Sequence, residues 1–440
     1  MNSLDKLILV WHFLCARCKG FSNRDQLDVW QARQLKQFLR DTASKAEFYK
    51  NYANRPLSEF PLMDKQSMLQ EFAARNTAGA ALEELQSIAM QAENSRDFNP
   101  EWQGYTVGLS SGTSGKRGIF LVSKAERLRW AGILLARTLP SAFLWQIIQI
   151  WKPRLRIAFF LRANSNLYNT LNSSRIDFRF YDLMQPLKPQ LQDLEKFQPQ
   201  ALVAPASILQ AIAREQSANN IQISPERIIN VAEVLDQDVA ADIEKTFKQK
   251  PHQIYQATEG FLGVTCSHGN LHLNETYIHI EKNWLDKEQT RFQPIITDFT
   301  RNTQLIIRYQ LNDILRPAKQ PCPCGNPELH IEAVEGRADE ILWLKNFQGE
   351  AQAIYPDSLR RLMMMVDPTL EEYRIVQQAR CWQIFIKTSG DKNSCETSIR
   401  QSIQLLCEQQ ELTAPEIIFA EWQPAAAGTK RRRLICESTE

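Results

Sequence analysis

The apolar positions of this chain change their period along its length, and the changes mark out its elements. Near the start, Leu7-Ile8-Leu9-Val10-Trp11-His12-Phe13-Leu14 predicts a packed helix. Residues 24 to 75 repeat at helical spacing, with Leu35, Phe38 and Leu39 on one face and Leu27 and Trp30 a turn or two earlier. Pro56 and Pro61 punctuate that region. A strand is expected at Ile119-Phe120-Leu121-Val122, closing a hairpin around the segment before it.

From 156 to 255 short apolar runs alternate with helical stretches. The runs are Ile157–Leu161, Phe178–Tyr181, Ala201–Ala204, Ile228–Val231 and His252–Tyr255, with helices read at Ile208–Arg214 and Val239–Lys248. Alternation of this kind predicts a mostly parallel sheet covered by helices. Ligands then bind beyond the carboxyl ends of the strands, which points to Pro205-Ala206-Ser207, Ala232-Glu233 and Gln256-Ala257-Thr258-Glu259. Residues 271 to 310 turn β-rich, through Thr276–Ile280, Pro294–Thr297 and Leu305–Tyr309. The last hundred residues read as a short α+β pattern, with strands at Trp382–Ile386 and Ile417–Ala420 around a helix at 394–410. The domain boundary is placed near Gly336 to Glu340, giving domains 1–336 and 337–440.

Composition narrows the class. A chain of 440 residues, 43% hydrophobic and 23% charged, has room for a large core and reads as soluble. A net charge of +2 argues against an extended nucleic-acid surface. The N-terminal apolar run is too short to span a bilayer and lacks a small-residue cleavage site. The patch from Trp130 to Ile150 is broken by Arg137 and Pro140, so no membrane span is expected. Nine cysteines in a chain of this length do not suggest a secreted disulfide scaffold, and Cys15 and Cys18 read as neighbours on a helical turn. The expectation is a cytoplasmic protein; its oligomeric state is not legible.

Candidate chemistry begins at Ser110-Ser111-Gly112-Thr113-Ser114-Gly115-Lys116. Small residues let backbone N–H groups turn toward an anion, hydroxyls add donors, and the lysine adds charge on a long stem. It is not a Walker loop, because Ser110 stands where glycine is needed and Arg117 follows Lys116. The bland reading is a surface Ser/Gly turn. Three further motifs follow: Tyr255-Gln256-Ala257-Thr258-Glu259-Gly260, Arg308-Tyr309-Gln310-Leu311-Asn312-Asp313, and Glu335-Gly336-Arg337-Ala338-Asp339-Glu340. Singly, Thr-Glu after a strand reads as a helix start and Asp after a strand as a turn residue. The run Gly428-Thr429-Lys430-Arg431-Arg432-Arg433 reads alone as a solvated basic tail.

In this order and spacing, the motifs resemble those of the adenylate-forming superfamily of acyl-CoA ligases, luciferases and peptide-synthetase adenylation domains. The nearer likeness is to its phenylacetate–coenzyme A ligase branch, and to adenylate-forming enzymes related to the archaeal deazaflavin-adenylating synthetase. The resemblance spans nearly the whole chain. It implies an α/β fold: a large N-terminal domain with parallel sheets flanked by helices and a β-rich part, then a small mobile α+β C-terminal domain. It also implies roles. The loop 110–116 would grip the β- and γ-phosphates of ATP. Glu233 would line the adenine pocket, with Tyr255 near the base. Thr258 would hold the α-phosphate and Glu259 the Mg²⁺. Asp313 would bind the ribose hydroxyls, Arg337 would support the nucleotide, and Asp339 would be the hinge. Lys430 would bridge the carboxylate and the α-phosphate. Two departures stand out: Thr429 separates Gly428 from Lys430, and Leu311-Asn312 replace the usual Thr-Gly before Asp313.

Cys266 and His272, with Cys322 and Cys324 in Pro321-Cys322-Pro323-Cys324-Gly325, form a further set. Three thiolates and one imidazole suit a closed tetrahedral zinc site, and the phenylacetate ligase branch has similar positions and a bound zinc. His268 is the second choice for the imidazole. The site would be structural, stapling the β-rich part within 261–330. The implied activity is ATP-dependent conversion of an organic, by resemblance aromatic, carboxylic acid to acyl-AMP with release of pyrophosphate. Transfer to the thiol of coenzyme A or of a carrier-protein phosphopantetheine would follow. The acyl pocket is expected near Pro205–Leu209, Ala232, Ile254–Ala257 and Trp130. A nucleotidyltransferase acting on the hydroxyl of a deazaflavin-like molecule is the alternative enzyme. A degenerate nucleotide-binding protein is argued against by the presence of Lys116, Thr258, Glu259, Asp313 and Lys430.

Overall fold

The computed structural model describes residues 3–437, apart from 53, 98, 110–116, 162–172 and 424–431. The chain divides into two compact units. The first comprises Met1–Asn283, Pro294–Leu311 and Pro317–Ala333; the second comprises Trp284–Gln293, Asn312–Arg316 and Val334–Glu440. The second unit therefore takes in two short segments from within residues 1–336.

In the first unit, helix α1 (Ser3–Cys18) is followed by α2 (Arg24–Asp41), whose start is capped by Asn23 accepting from the Gln26 N–H. The rest of the region to residue 75 is helical only in short pieces, ending in Lys65–Gln70 and Phe72–Arg75. Strands β1 (Glu101–Trp102), β2 (Tyr105–Leu109) and β3 (Ile119–Val122) form a small antiparallel sheet. Helix α3 (Lys124–Thr138) starts with a capping box between Ser123 and Glu126. Pro140 ends that run, and α4 (Ser141–Ile148) leaves at an angle of 119°. No single helix among the described residues is long and apolar enough to cross a membrane.

The main sheet of this unit contains β4 (Leu155–Leu161), β5 (Ile176–Asp182), β6 (Ala201–Ala204), β7 (Arg227–Val231), β8 (His252–Ala257), β9 (Gly260–Thr265) and β10 (Leu271–Leu273). Their order is β10-β9-β8-β7-β6-β4-β5. The pairs from β5 to β8 are parallel; β9 and β10 add antiparallel. Alternate residues point to opposite faces, as the period of a strand requires. Ile157, Phe159, Val203, Ile229 and Val231 enter one core cluster, with Ile133 and Leu134 of α3. Ala158, Phe160, Leu202, Ala204 and Ile228 enter another, under Leu191, Leu209 and Ile243 of the covering helices. Burial on both faces explains why these strands read as continuous apolar runs.

Two expectations change. Leu305–Tyr309 is not one strand: only Tyr309–Gln310 pairs in a ladder. Arg308 has a φ of +47°, which breaks the extended backbone. Leu305, Ile306 and Ile307 are buried all the same, and burial of a non-ladder run mimics the sequence signature of a strand. The N-terminal helix is packed on only one side. Leu9, Phe13 and Ala16 face α3, while Leu4, Leu7, Trp11 and Leu14 are exposed.

The second unit has its own core around fully buried Trp382, with Ile375, Ile384, Ile399 and Ile403. A four-stranded sheet runs in the order Glu416–Glu421, Cys381–Thr388, Leu370–Gln378, Leu434–Cys436. Helices Pro356–Val366 and Lys392–Gln409 supply the rest of that core.

Candidate functional site

Three strand ends in the first unit carry the expected chemistry. After β7, Ala232 takes a φ of +64° and the Glu233 N–H donates back to the Val231 carbonyl at 2.8 Å. This closes a three-residue turn that alanine adopts only under strain. The turn swings Glu233 across to the end of β6, where its carboxylate accepts from the Ser207 N–H at 2.9 Å. Ser207 lies in the first turn of the helix Ala206–Ser217, so an anion there also complements the helix dipole. The Asn230 side chain donates to the Glu233 carbonyl at 2.8 Å and locks the turn from below. Glu233 thus ties two adjacent strand ends together.

Beyond β8, Thr258 and Glu259 form the two-residue turn of a hairpin, with Ala257 opposite Gly260. This removes the helix-start reading. The register shifts between Tyr255 and Gln256, a bulge that re-aims side chains just before the turn. A Cβ on Gly260 would lie 2.8 Å from Asp298 Oδ2, so only glycine lets the turn sit against this carboxylate. Asp298 is fully buried and accepts from the Thr300 N–H and hydroxyl at 2.7 and 2.6 Å. Burial raises its carboxyl above the usual range. Asp298 has no motif to announce it; its only sequence signal is an acid at the end of an apolar run.

The expected acyl-pocket residues divide between the two faces of the sheet. Trp130 and Ile254 join the cluster with Val231, whereas Ala206 and Leu209 join the opposite one.

The loop residues Ser110, Ser111, Gly112, Thr113, Ser114, Gly115 and Lys116, and the lysine Lys430, lie outside the described residues. The strands that lead to and from the loop are paired, with Leu109 opposite Ile119 and Gly108 opposite Phe120. A Cβ on Gly108 would meet the Phe120 ring at 2.3 Å, which accounts for a glycine inside that strand.

Asp313, Arg337 and Asp339 belong to the second unit. Asp313 opens the strand Asp313–Pro317. Asn312, which departs from the family pattern, donates to Asp339 Oδ1 at 2.8 Å, and its carbonyl accepts from the Ala338 N–H at 2.7 Å. Arg432 pairs with Asp339 at 2.9 Å, and Arg337 stands 3.8 Å from it. The hinge candidate is therefore met by side chains from two segments of this unit.

The metal candidates converge. The ligand atoms of Cys266, His272, Cys322 and Cys324 all lie within 4.8 Å of one another. Cys266 Sγ is 3.8 Å from Cys322 Sγ, and Cys324 Sγ is 3.4 Å from His272 Nε2. Tetrahedral zinc, with Zn–S near 2.3 Å and Zn–N near 2.0 Å, requires S···S of about 3.8 Å and S···N of about 3.5 Å. The hairpin between β9 and β10, turned at Gly269, presents Cys266 and His272. The Gly325 N–H bonds the Cys322 carbonyl and folds the second pair of cysteines toward them. His272 donates from Nδ1 to the Glu328 carbonyl at 2.9 Å, which leaves Nε2 as the ligand atom.

Burial pushes Cys322 up, but donors led by the Asn270 amide outweigh it and hold the thiol at about 5. Burial and the neighbouring sulfurs push Cys324 up to about 12. Such crowding of thiols is what a bound cation resolves. His268 is not part of the cluster; it sits on the exposed turn beside Ser267. Behind the cluster, the buried Glu328 carboxylate accepts from Thr276, Asn326 and Arg137, a support no sequence motif signalled.

No protein-family model matches the chain. Protein CapK of Staphylococcus aureus is 28% identical over 160 residues, 36% of this chain and 35% of CapK, so the match spans about a third of that relative. Among solved structures, 2-hydroxyisobutyryl-CoA ligase in the postadenylation state with 2-HIB-AMP superposes with a TM-score of 0.63 at 15% identity, over 93% of this chain and 88% of that one. Its open conformation with 2-HIB-AMP and CoA gives 0.54 at 15% identity, over 92% and 90%. At such identity the likeness establishes the fold, which is that of the adenylate-forming ligases.

Proposed function

We propose, from the premise of an adenylate-forming fold, that this protein activates an organic carboxylic acid with ATP and passes the acyl group to a thiol. The observation that carries the reading is the pair of shaped strand ends: the strained Ala232-Glu233 turn beside the bulged hairpin tip Thr258-Glu259. Strain and bulges of this kind concentrate at sites where side chains must be aimed.

In the proposed reaction a carboxylate oxygen attacks the α-phosphorus of ATP. The P–O bond to pyrophosphate breaks, leaving acyl-AMP. Thr258 would donate to the α-phosphate. Glu259 would hold Mg²⁺, which when bound neutralises charge on the phosphates. Glu233 and Tyr255 would flank the adenine, and Asp313 would accept from the ribose hydroxyls. Arg337 would support the nucleotide, and the loop 110–116 would hold the β- and γ-phosphates. Lys430 would bridge the carboxylate and α-phosphate, and a turn about Asp339 would exchange adenylation for thiol transfer. Coenzyme A or a carrier-protein phosphopantetheine would be the acceptor. Cys266, His272, Cys322 and Cys324 would hold Zn²⁺ in a structural role, since four protein ligands leave no open position.

ATP–pyrophosphate exchange across a panel of aryl, short hydroxy and fatty acids tests this. Exchange dependent on one acid class is expected, with Glu259→Ala and Lys430→Ala each slowing it by about 10²–10³. Wild-type exchange with no acid, but AMP transfer to a hydroxyl substrate, would replace this reading with the nucleotidyltransferase one.

A further inference from the structure

Helix α1 is apolar on two sides. Leu9, Phe13 and Ala16 fill its contact with α3, where a Cβ on Gly132 would sit 2.7 Å from the Leu9 carbonyl. The opposite side carries Leu4, Leu7, Trp11 and Leu14, each 50–67% exposed. At the end of α1, Arg17 donates to the Ala136 carbonyl and to the Ser141 hydroxyl at 2.9 and 2.8 Å, placing that end beside the start of α4. Helix α4 and the turn after it form a second apolar surface. Trp145, Ile148, Ile150 and Trp151 are 62–79% exposed.

This turn is built, not loose. The Arg175 guanidinium donates to five carbonyls, those of Gln146, Ile147, Gln149, Ile150 and Lys152, at 2.7–3.3 Å. One side chain thus satisfies the backbone of a segment whose own apolar side chains face outward. The turn itself carries charge of one sign. Residues 141–154 contain Lys152 and Arg154 and no aspartate or glutamate. Lys152 is exposed, and Arg154, also exposed, donates to the Ser173 and Ile176 carbonyls, which are neutral acceptors.

We propose that α1 and the 145–154 turn form a peripheral membrane-binding surface that seats on an anionic bilayer. Tryptophan and aliphatic side chains would enter the headgroup boundary while Lys152, Arg154 and Lys6 meet lipid phosphates. Two features favour lipid over a protein partner. Five of the turn's carbonyls are taken by Arg175, so they are not on offer to the backbone donors of a partner chain. Among residues 141–154 no acidic residue is interspersed with Lys152 and Arg154 to set the register of a partner, whereas a bilayer needs only apolar depth and charge. This does not depend on the adenylation reading.

The test uses the full chain with vesicles of phosphatidylcholine, alone or mixed with phosphatidylglycerol. Co-sedimentation with the mixed vesicles is expected, weaker with phosphatidylcholine alone and weakened by salt. Brominated lipids should quench tryptophan emission in the wild type. Trp145→Ser/Ile148→Ser/Trp151→Ser should bind about tenfold or more weakly. Lys152→Gln/Arg154→Gln, which leaves the exposed apolar side chains in place, should lose the preference for anionic vesicles. The proposal is overturned if the wild type stays in the supernatant with mixed vesicles. It is equally overturned if both variants bind as the wild type does, or if light scattering finds a dimer that the serine variant dissolves while no vesicle binding occurs.

Discussion

Ala232 shows how a single residue shapes the site. Its left-handed backbone costs on the order of 1–3 kcal/mol, and it persists because the Glu233 carboxylate and the Asn230 amide hold the following residue from two directions. Another residue-scale feature sits at the far end of β8. Burial and the adjacent Arg227 guanidinium hold the His252 imidazole down at about 4. The folded state therefore binds fewer protons than the unfolded state between the ordinary histidine value of about 6.5 and that value. The stability that this neutral ring supports is present above pH 6.5 and falls as pH drops toward 4. In His252→Gln, the urea midpoint should decline less steeply across that window. An unchanged slope would mean that the acid sensitivity lies in other groups.

At the scale of elements, the contact of α1 with α3 depends on Gly132. Alanine would favour the isolated helix by about 1 kcal/mol. Its Cβ, however, would meet the Leu9 carbonyl, His12 Cβ and the Phe13 nitrogen at 2.7–2.8 Å. Two of these are backbone atoms of a packed helix and cannot swing aside. Overpacking of this kind costs about 1–3 kcal/mol, so the steric term wins. Gly132→Ala is expected to lower stability by about 1–2 kcal/mol in urea titration and to speed tryptic cleavage at Arg17 and Lys19. Greater stability in the variant would show that the helices part easily.

Considered as a whole molecule, the chain carries separate cores in its two units, and the Cys/His cluster belongs to the first. Cys266, His272, Cys322, Cys324 and the supporting Glu328 all lie there. The core around Trp382 lies entirely in the second unit. Chelation, or Cys322→Ser, should lower the first unit's thermal midpoint by roughly 5–10 °C and leave the second unit's transition in place. Elemental analysis of the purified protein would give about one zinc per chain. An equal shift in both transitions would mean that the units unfold together.

The amino-acid pattern by itself determined the α/β class, the parallel strands and the α+β character of the last hundred residues. Buried parallel strands need continuous apolar runs, and those are visible without coordinates. It also singled out Cys266, His272, Cys322 and Cys324 as one set, and the structure brings their side chains together. It did not determine the separation of Leu305–Ile307 from a ladder, because burial alone produces the same apolar run. Nor could it find Asp298 beneath Gly260, Glu328 behind His272, or the Ser207 N–H that meets Glu233. Each of these pairs is distant in sequence, and only the crossing of strands and hairpins brings them within hydrogen-bonding or contact distance. The outward face of α1 was hidden for the same reason. A helix apolar on two sides reads as buried, and only the tertiary structure decides which side has a neighbour.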